Sequence, residues 1–243
     1  PATMLLEELA LVGNCQYSAL INRSGSVVWC CLPRFDSEPV FGSLLDESGG
    51  SFSVAPADGS QGEMRYIENT NVLETTFTSG ESSFRTIDFA PRFMHHGRTF
   101  RPTQLIRILE PLRGSPRITV SCEPVRGWSK KPADHRTGSH HIEFLGLESN
   151  LRMTTDLPLS YHGKFAFDLT QRRHIVLSWG APPQDDIALL CERYLLETVA
   201  HWRRWVKHCN LPPLYQQDVI RSALALKLHC FEDTGAIIAA MTT

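Results

Sequence analysis

The sequence has no long apolar run and no marked excess of charge of either sign. No stretch approaches the roughly 18 apolar residues that cross a membrane, and the start, PATMLLEELALVG, has two glutamates and no basic residue. We therefore expect no secretory signal. The formal net charge is -2 and the isoelectric point is about 6.6. These values predict neither nucleic acid nor a membrane as a partner.

The chain also lacks the cysteine patterns of a disulfide framework or a zinc site. It has seven cysteines, an odd number, and no CxxC pair. In a chain of 243 residues this composition favours reduced, mostly buried thiols and therefore a cytoplasmic protein. Cys30 and Cys31 are adjacent on a predicted strand, so their side chains point to opposite faces and are poor partners for one metal or one bridge.

Sequence motifs of nucleotide binding, serine hydrolases and zinc proteases are absent: there is no GxGxxG, P-loop, GxSxG or HExxH. The histidine pairs at 95–96 and 140–141 could suggest a metal, but such pairs point apart in strands and are usually solvated in loops. The spacing of Trp202 and Trp205 favours core packing on a helix over a sugar or nucleic-acid surface. The residues alone therefore indicate no metal and no cofactor.

Two carboxylates lie two residues apart in the loop that follows the strand expected at 26–32. Asp36 and Glu38, in PRFDSEP, could act together in glycoside chemistry. The flanking Pro33 and Pro39 instead favour a turn, where an aspartate more often bonds nearby backbone N–H groups. The sequence therefore predicts no catalytic residue.

Short β-type runs separated by turn signals occupy the chain up to about residue 181. They predict a mainly β fold with a large antiparallel β-sandwich, or supersandwich, over residues 1–181. A strand is expected at 26–32, and residues 129–138 are expected to form an exposed loop. Three pairs of runs are predicted as hairpins: 71–79 with 82–90, 104–112 with 116–125, and 164–170 with 174–179.

Two helices are predicted after this region. The first begins at Asp185–Asp186 and ends near Cys209, within a linker at 182–212. The second extends from about Tyr215 to Phe231, and its apolar arc is wide enough for packing on two sides. Lys227 lies within that arc, where it either extends along the helix to water or forms an ion pair with a group outside this chain.

Three stretches resemble the bacterial branch of glycoside hydrolase family 15, which includes glucoamylase-like, glucodextranase and trehalase-like enzymes. The stretches are LALVGNCQYSALINRSGSVVWCCLPRFDSEPVFGSLLD at 9–46, NTNVLETTFTSGESSFRTIDFAPRF at 69–93 and DVIRSALALKLHCFEDTGAIIAAMTT at 218–243. The third is the most specific, through Arg221–Leu226, Lys227 and Thr234–Ala240. Residues 24–29 and 122–129 depart from the family pattern, which leaves substrate specificity open.

The resemblance implies a trehalase-like N-terminal sandwich, a helical linker and, at 213–243, the truncated start of an (α/α)6 catalytic barrel that packs on the sandwich. It implies inverting hydrolysis of α-glucosidic bonds in glucan ends or trehalose. The family's two catalytic glutamates lie downstream of residue 243, so this chain alone is expected to be inactive. A homo-oligomer is possible.

Two other functions remain open from the sequence. One is a non-catalytic β-sandwich that binds a carbohydrate or a protein partner. The other is a disaccharide phosphorylase of similar architecture, in which phosphate replaces the activated water.

Overall fold

The computed structural model describes residues 5–159 and 164–242. Within these ranges the chain is mainly β, with antiparallel strands followed by two helices. The elements are, in chain order, β1 (Leu9–Gly13), β2 (Ser18–Asn22), β3 (Ser26–Cys31), β4 (Pro39–Phe41), β5 (Ser51–Pro56), β6 (Glu63–Tyr66), β7 (Leu73–Ser79), β8 (Ser82–Phe89), β9 (Phe93–His95), β10 (Arg98–Phe100), β11 (Gln104–Arg113), β12 (Arg117–Glu123), β13 (Asp134–Thr137), β14 (His141–Leu145), β15 (Leu151–Thr155), β16 (Lys164–Asp168), β17 (Arg173–Trp179), α1 (Ile187–Lys207), α2 (Gln216–Leu228), β18 (Cys230–Phe231) and β19 (Ala236–Ile237).

Two large sheets share one hydrophobic core. The first sheet has the strand order β1-β2-β3-β5-β12-β16, with β4 paired to β3, and the second has the order β13-β14-β15-β17-β11-β8-β7-β6. Both sheets contribute to the core between them, the first through Val27, Phe52 and Val120 and the second through Phe84 and Leu105. We call this part of the chain, residues 9–179, the two-sheet unit.

The second sheet is buried on both faces at its centre, and its sequence pattern shows why. Along β11, Leu105 and Leu109 join the core between the sheets. Ile106 and Ile108 point to the other face, where they join a cluster with Cys191 of α1. Because neighbouring residues in a strand face opposite sides, this run has to be apolar almost throughout.

Helix α1 starts and packs as its sequence predicts. The Asp186 carboxylate caps it by accepting the Leu189 N–H at 3.0 Å, and negative charge suits this end of a helix. Its first half packs on the second sheet, and Trp202, in its second half, is fully buried. The prediction that Trp202 packs in the core is therefore confirmed. No helix within the described ranges has the length and apolarity needed to cross a membrane.

Helix α2 is shorter than predicted and packs on one side. Residues Ile220, Leu224 and Leu228 are buried against α1 and the turn between β1 and β2, whereas Leu226 is 64% exposed. The predicted packing on two sides is thus not made within the described residues. Lys227 is half-buried, and no ion pair to it occurs in the described part of the chain.

Two of the three predicted hairpins are wrong. Strands β7 and β8 do pair across Gly80. Strand β11, however, pairs with β8 and β17, whereas β12 pairs with β5 and β16. The turn at 113–116 therefore carries the chain from one sheet to the other, and the connection from β16 to β17 does the same. Alternation of apolar and polar residues does not distinguish a hairpin within one sheet from a turn between two sheets. In both cases the strands on either side of the turn bury one face in the same core.

The predicted loop at 129–138 is also partly wrong, because it contains β13 at the edge of the second sheet. This strand is mostly exposed, so it lacks the alternating burial that marks a strand in sequence. The expectation that the cysteines are mostly buried is confirmed, since five of the seven are buried and two are half-buried.

A buried arginine joins the two sheets. Arg107 and Asp88 are both fully buried in the second sheet, and the guanidinium Nε donates to Asp88 Oδ1 at 2.8 Å. Its two terminal nitrogens donate to the carbonyl of Phe52, in β5 of the first sheet, at 2.9 Å and to that of Gly25, in the turn between β2 and β3 of the same sheet, at 2.7 Å. The Arg107 charge is therefore compensated by a carboxylate on the neighbouring strand and by backbone carbonyls from the opposite sheet.

Replacing Asp88 by asparagine should strongly destabilise the fold, because the Arg107 charge would remain buried without its carboxylate. We expect Asp88→Asn to lower the free energy of unfolding by about 3–5 kcal/mol, measured by urea denaturation. The matched control is Asp168→Asn, which breaks the exposed pair with Arg117 and should cost about 0–1 kcal/mol. Equal losses in the two variants would contradict this account.

Candidate functional site

The residues after α2 lie on the two-sheet unit, and this contact is the candidate site. We call residues 229–242 the C-terminal segment. The Glu232 N–H donates to the Cys15 carbonyl at 3.1 Å, in the turn between β1 and β2. The Trp29 indole N–H donates to the Met241 carbonyl at 2.6 Å. The segment is thus attached to the first sheet at two places nine residues apart in sequence.

Arg92 is the centre of this contact. Its side chain is almost fully buried between the two-sheet unit, α1 and the C-terminal segment, and it forms an ion pair with Glu232. Its Nη1 donates to the Asn14 carbonyl at 2.9 Å, and its Nε donates to His201 Nε2 at 3.1 Å. One guanidinium therefore connects three separate parts of the chain.

The histidine beside Arg92 is held in its neutral form. Burial, together with the nearby charges of Arg92 and Arg204, lowers the pKa of His201 to about 4. This direction agrees with the geometry, since Nε2 can accept the Arg92 N–H only when it carries no proton. A protonated His201 would place a second cation beside a buried arginine.

The loop between β3 and β4 forms one side of the site. Arg34 and Asp36 form a two-point ion pair, with Nε to Oδ1 at 2.9 Å and Nη2 to Oδ2 at 2.5 Å. The Arg34 guanidinium lies 5.1 Å from the ring centre of Phe231, which also contacts Phe35 edge-on. These side chains place a cation, an anion and aromatic rings beside the C-terminal segment.

The predicted turn around Asp36 is confirmed, since the Ser37 N–H donates to the Arg34 carbonyl at 3.2 Å. The hydrogen bonds from Arg34 lower the pKa of Asp36. A carboxylate held ionised in this way is unsuited to donate a proton.

The other acidic groups with shifted pKa values behave in the same way. Hydrogen bonds from Lys130 and Ser48 lower the pKa of Asp46, and those from Arg136 and Asn150 lower the pKa of Glu143. Among the described residues, every carboxyl group whose pKa departs clearly from its ordinary value is shifted downward. These five carboxyl groups are therefore held in the ionised form, which is unsuited to donating a proton.

The two histidine pairs do not form a metal site. His95 and His96 are exposed at the turn between β9 and β10, with ring centres 4.1 Å apart. His140 is exposed, and His141 is half-buried at the start of β14. Nowhere in residues 5–159 and 164–242 do three His, Cys, Asp or Glu side chains converge as a metal would require.

Arg92 and Glu232 could not be recognised as a site from their local sequence. Arg92 is a single basic residue after an apolar strand, and Glu232 follows a helix end. The one available signal is that they belong to the second and third stretches of the resemblance. Thr243, the last residue of the third stretch, and residues 1–4 lie outside the described part of the chain.

Comparison with known proteins gives a consistent family assignment. A family model described as "Trehalase-like, N-terminal" matches residues 2–150. A trehalase of Thermoplasma acidophilum is 31% identical over 237 residues, covering 92% of this chain and 40% of that protein. Trehalases of Mycolicibacterium smegmatis and Mycobacterium tuberculosis are each 28% identical, covering 98% of this chain. The chain spans about 40% of the length of these curated relatives.

The ion pair of Arg92 should control how firmly the C-terminal segment is held. In Glu232→Gln the buried guanidinium loses its carboxylate, so we expect local opening of the segment to become easier by about 2 kcal/mol. Amide hydrogen exchange in the segment should accelerate by about 30-fold. Asp233→Asn is the matched control, because Asp233 pairs with Arg101, which is more exposed than Arg92. Similar acceleration in both variants would refute the role of Arg92.

His201 should make this junction sensitive to acid. The pKa of His201 is lowered from its ordinary value of 6.5 to about 4 in the folded chain. The stability that neutral His201 contributes is therefore present above pH 6.5 and is lost as the pH falls through 4. The difference in unfolding free energy between wild type and His201→Gln should therefore shrink over this range. The exposed His208 provides the control variant His208→Gln, and a pH-independent difference for His201→Gln would contradict the assignment.

Proposed function

Because the chain belongs to the trehalase-like N-terminal family, we propose that it is the N-terminal part of an inverting glycoside hydrolase that acts on trehalose. The observation behind this proposal is that the similarity to trehalases covers 92–98% of the chain. Coverage of that extent includes α1 and α2 as well as the sheets. Trehalose is therefore favoured over glucan ends as the substrate.

We further propose a division into an N-terminal β-sandwich at 1–181, a helical linker at 182–212 and the start of an (α/α)6 barrel at 213–243. The positions of Trp179, which ends β17, and Ile187, which starts α1, support the first boundary. The exposed Leu226 on α2 supports packing against further helices. The free thiols support a reducing, cytoplasmic location.

The proposed reaction needs two carboxyl groups, and we place both of them outside this chain. In an inverting hydrolase one acid protonates the leaving oxygen while a second carboxylate activates water on the opposite face, about 6.5–9.5 Å away. The shifted carboxyl groups of the described residues are ionised through their hydrogen bonds. The chain's own role is then structural: it fixes the C-terminal segment and adds loops such as 32–38 to the rim of the site.

Glucose release from trehalose tests the proposal. Purified 1–243 should release no glucose above a blank, whereas the complete gene product that contains this chain should hydrolyse trehalose. Inversion at one carbon of this α,α-linked disaccharide should give equal amounts of α- and β-glucose at early times, measured by proton NMR.

Other outcomes would favour the rival functions. Glucose release by 1–243 itself would contradict the proposed inactivity of the chain. Phosphate-dependent formation of glucose 1-phosphate by the gene product would indicate a phosphorylase. Sugar binding without any turnover by the gene product would indicate a carbohydrate-binding module, and cleavage of maltodextrin but not trehalose would overturn the substrate.

A further inference from the structure

A buried histidine joins the first half of α1 to the second sheet. His174 is the second residue of β17, and only 6% of its side chain is exposed. Its Nδ1 lies 2.7 Å from Asp156 Oδ2, just after β15, and its Nε2 lies 2.9 Å from Glu192 Oε1 on α1. Asp156 is itself fixed to β17, since its Oδ1 accepts the His174 N–H at 2.8 Å and its carbonyl accepts from Arg173 at 3.0 Å. The ring therefore connects a carboxylate anchored on the sheet to a carboxylate on the helix.

These two contacts require a positively charged ring. A neutral imidazole has one N–H, so its other nitrogen would direct a lone pair at a carboxylate oxygen. The imidazolium donates from both nitrogens and satisfies both carboxylates. Burial lowers the pKa of His174, but the hydrogen bonds and charges of Asp156 and Glu192 outweigh that effect and raise the pKa above its ordinary value of 6.5. His174 is thus held in the charged form, whereas His201 is held in the neutral form.

The helix carboxylate stays ionised when the ring loses its proton. Arg172 grips Glu192 at two points, with Nε to Oε1 at 2.6 Å and Nη2 to Oε2 at 3.1 Å. Burial raises the pKa of Glu192, but the hydrogen bonds from Arg172 and His174 outweigh it and lower the pKa. The Cys191 thiol, next to Glu192 on α1, stays neutral because burial raises its pKa. Neutral His174 would therefore face a carboxylate that has no ready means of relieving the contact.

The histidine also belongs to a row of alternating charges that crosses the second sheet. Among the described residues, eight side chains form this row, and neighbours in it are joined by ion pairs of 2.5–3.1 Å. In spatial order they are Asp156, His174, Glu192, Arg172, Glu110, Arg85, Glu74 and Arg65. Of the eight, His174 has the ordinary pKa that lies near neutral pH. Loss of its proton leaves four carboxylates facing three cations.

We propose that His174 is a pH-sensitive latch: its imidazolium holds the first half of α1, residues 187–196, on the second sheet, and loss of the proton loosens that half. Because folding raises the pKa of His174, the stability from the latch is complete below pH 6.5 and is lost as the pH rises through the folded pKa. His201 acts on the second half with the opposite sign, since its contribution is lost as the pH falls through 4. Helix α1 is therefore held along its whole length only within a window of pH. The latch does not depend on the proposed function.

Titration of the His174 ring in 1–243, followed by the NMR signals of its ring nitrogens, tests the latch directly. In wild type both nitrogens should still carry protons at pH 6.5, and the titration midpoint should lie above that value. Glu192→Gln removes the carboxylate on the helix and should lower the midpoint. Glu197→Gln changes an exposed residue of the same helix and should leave the midpoint unchanged. A wild-type midpoint at or below pH 6.5, or equal midpoints in wild type and Glu192→Gln, would overturn the latch.

Amide hydrogen exchange tests whether the charge of the ring holds the helix. Protection factors of the Cys191, Tyr194 and Leu195 amides, corrected for the intrinsic effect of pH, should fall between about pH 6 and about pH 9. The fall should reach at most about 10-fold per pH unit, because one proton is involved. It should disappear in His174→Gln and persist in His135→Gln, which changes an exposed histidine. Constant protection in wild type, or the same fall in His174→Gln, would contradict the latch, and the ring titration decides the matter if His174→Gln does not fold.

Discussion

The buried guanidinium of Arg92 is the contact on which the arrangement of the candidate site depends. A buried cation is stable only when nearby acceptors compensate it. Its acceptors come from three places: the Asn14 carbonyl in the two-sheet unit, neutral His201 on α1 and the Glu232 carboxylate in the C-terminal segment. The requirement to satisfy one charge therefore fixes the relative positions of a sheet, a helix and the segment that follows α2.

The two-sheet unit provides a rigid base for this junction. Its second sheet is buried between the first sheet and α1, and Arg107 connects the sheets through backbone carbonyls as well as through Asp88. Such rigidity suits the proposed role of the chain, because binding and catalysis depend on side chains being held in position before a substrate arrives. The unit contributes placement, and the loop that carries Arg34 contributes contacts to the C-terminal segment.

Features governed by neighbouring residues could be predicted from the sequence, and features governed by distant ones could not. The start of α1 follows from Asp186 and the apolar period after it, and the hairpin at Gly80 follows from a local turn. The connection from β11 to β12 depends on which sheet receives the next strand, which no local pattern encodes. The same limit applies to the site, since Arg92 finds the Asn14 carbonyl 78 positions away. The family resemblance indicated which stretches matter, although it gave no role to these side chains.

The most direct test of the central claim, that the two-sheet unit holds the C-terminal segment in a fixed place, is native-state hydrogen exchange on 1–243. The diagnostic amides are those of Glu232 and Ile238, which donate to the carbonyls of Cys15 and His229. The Glu232 amide should exchange with an opening free energy close to that of the strands in the first sheet, and the Ile238 amide should also be protected. Exchange of both amides at the rate of an unstructured peptide, while the sheets stay protected, would contradict the claim.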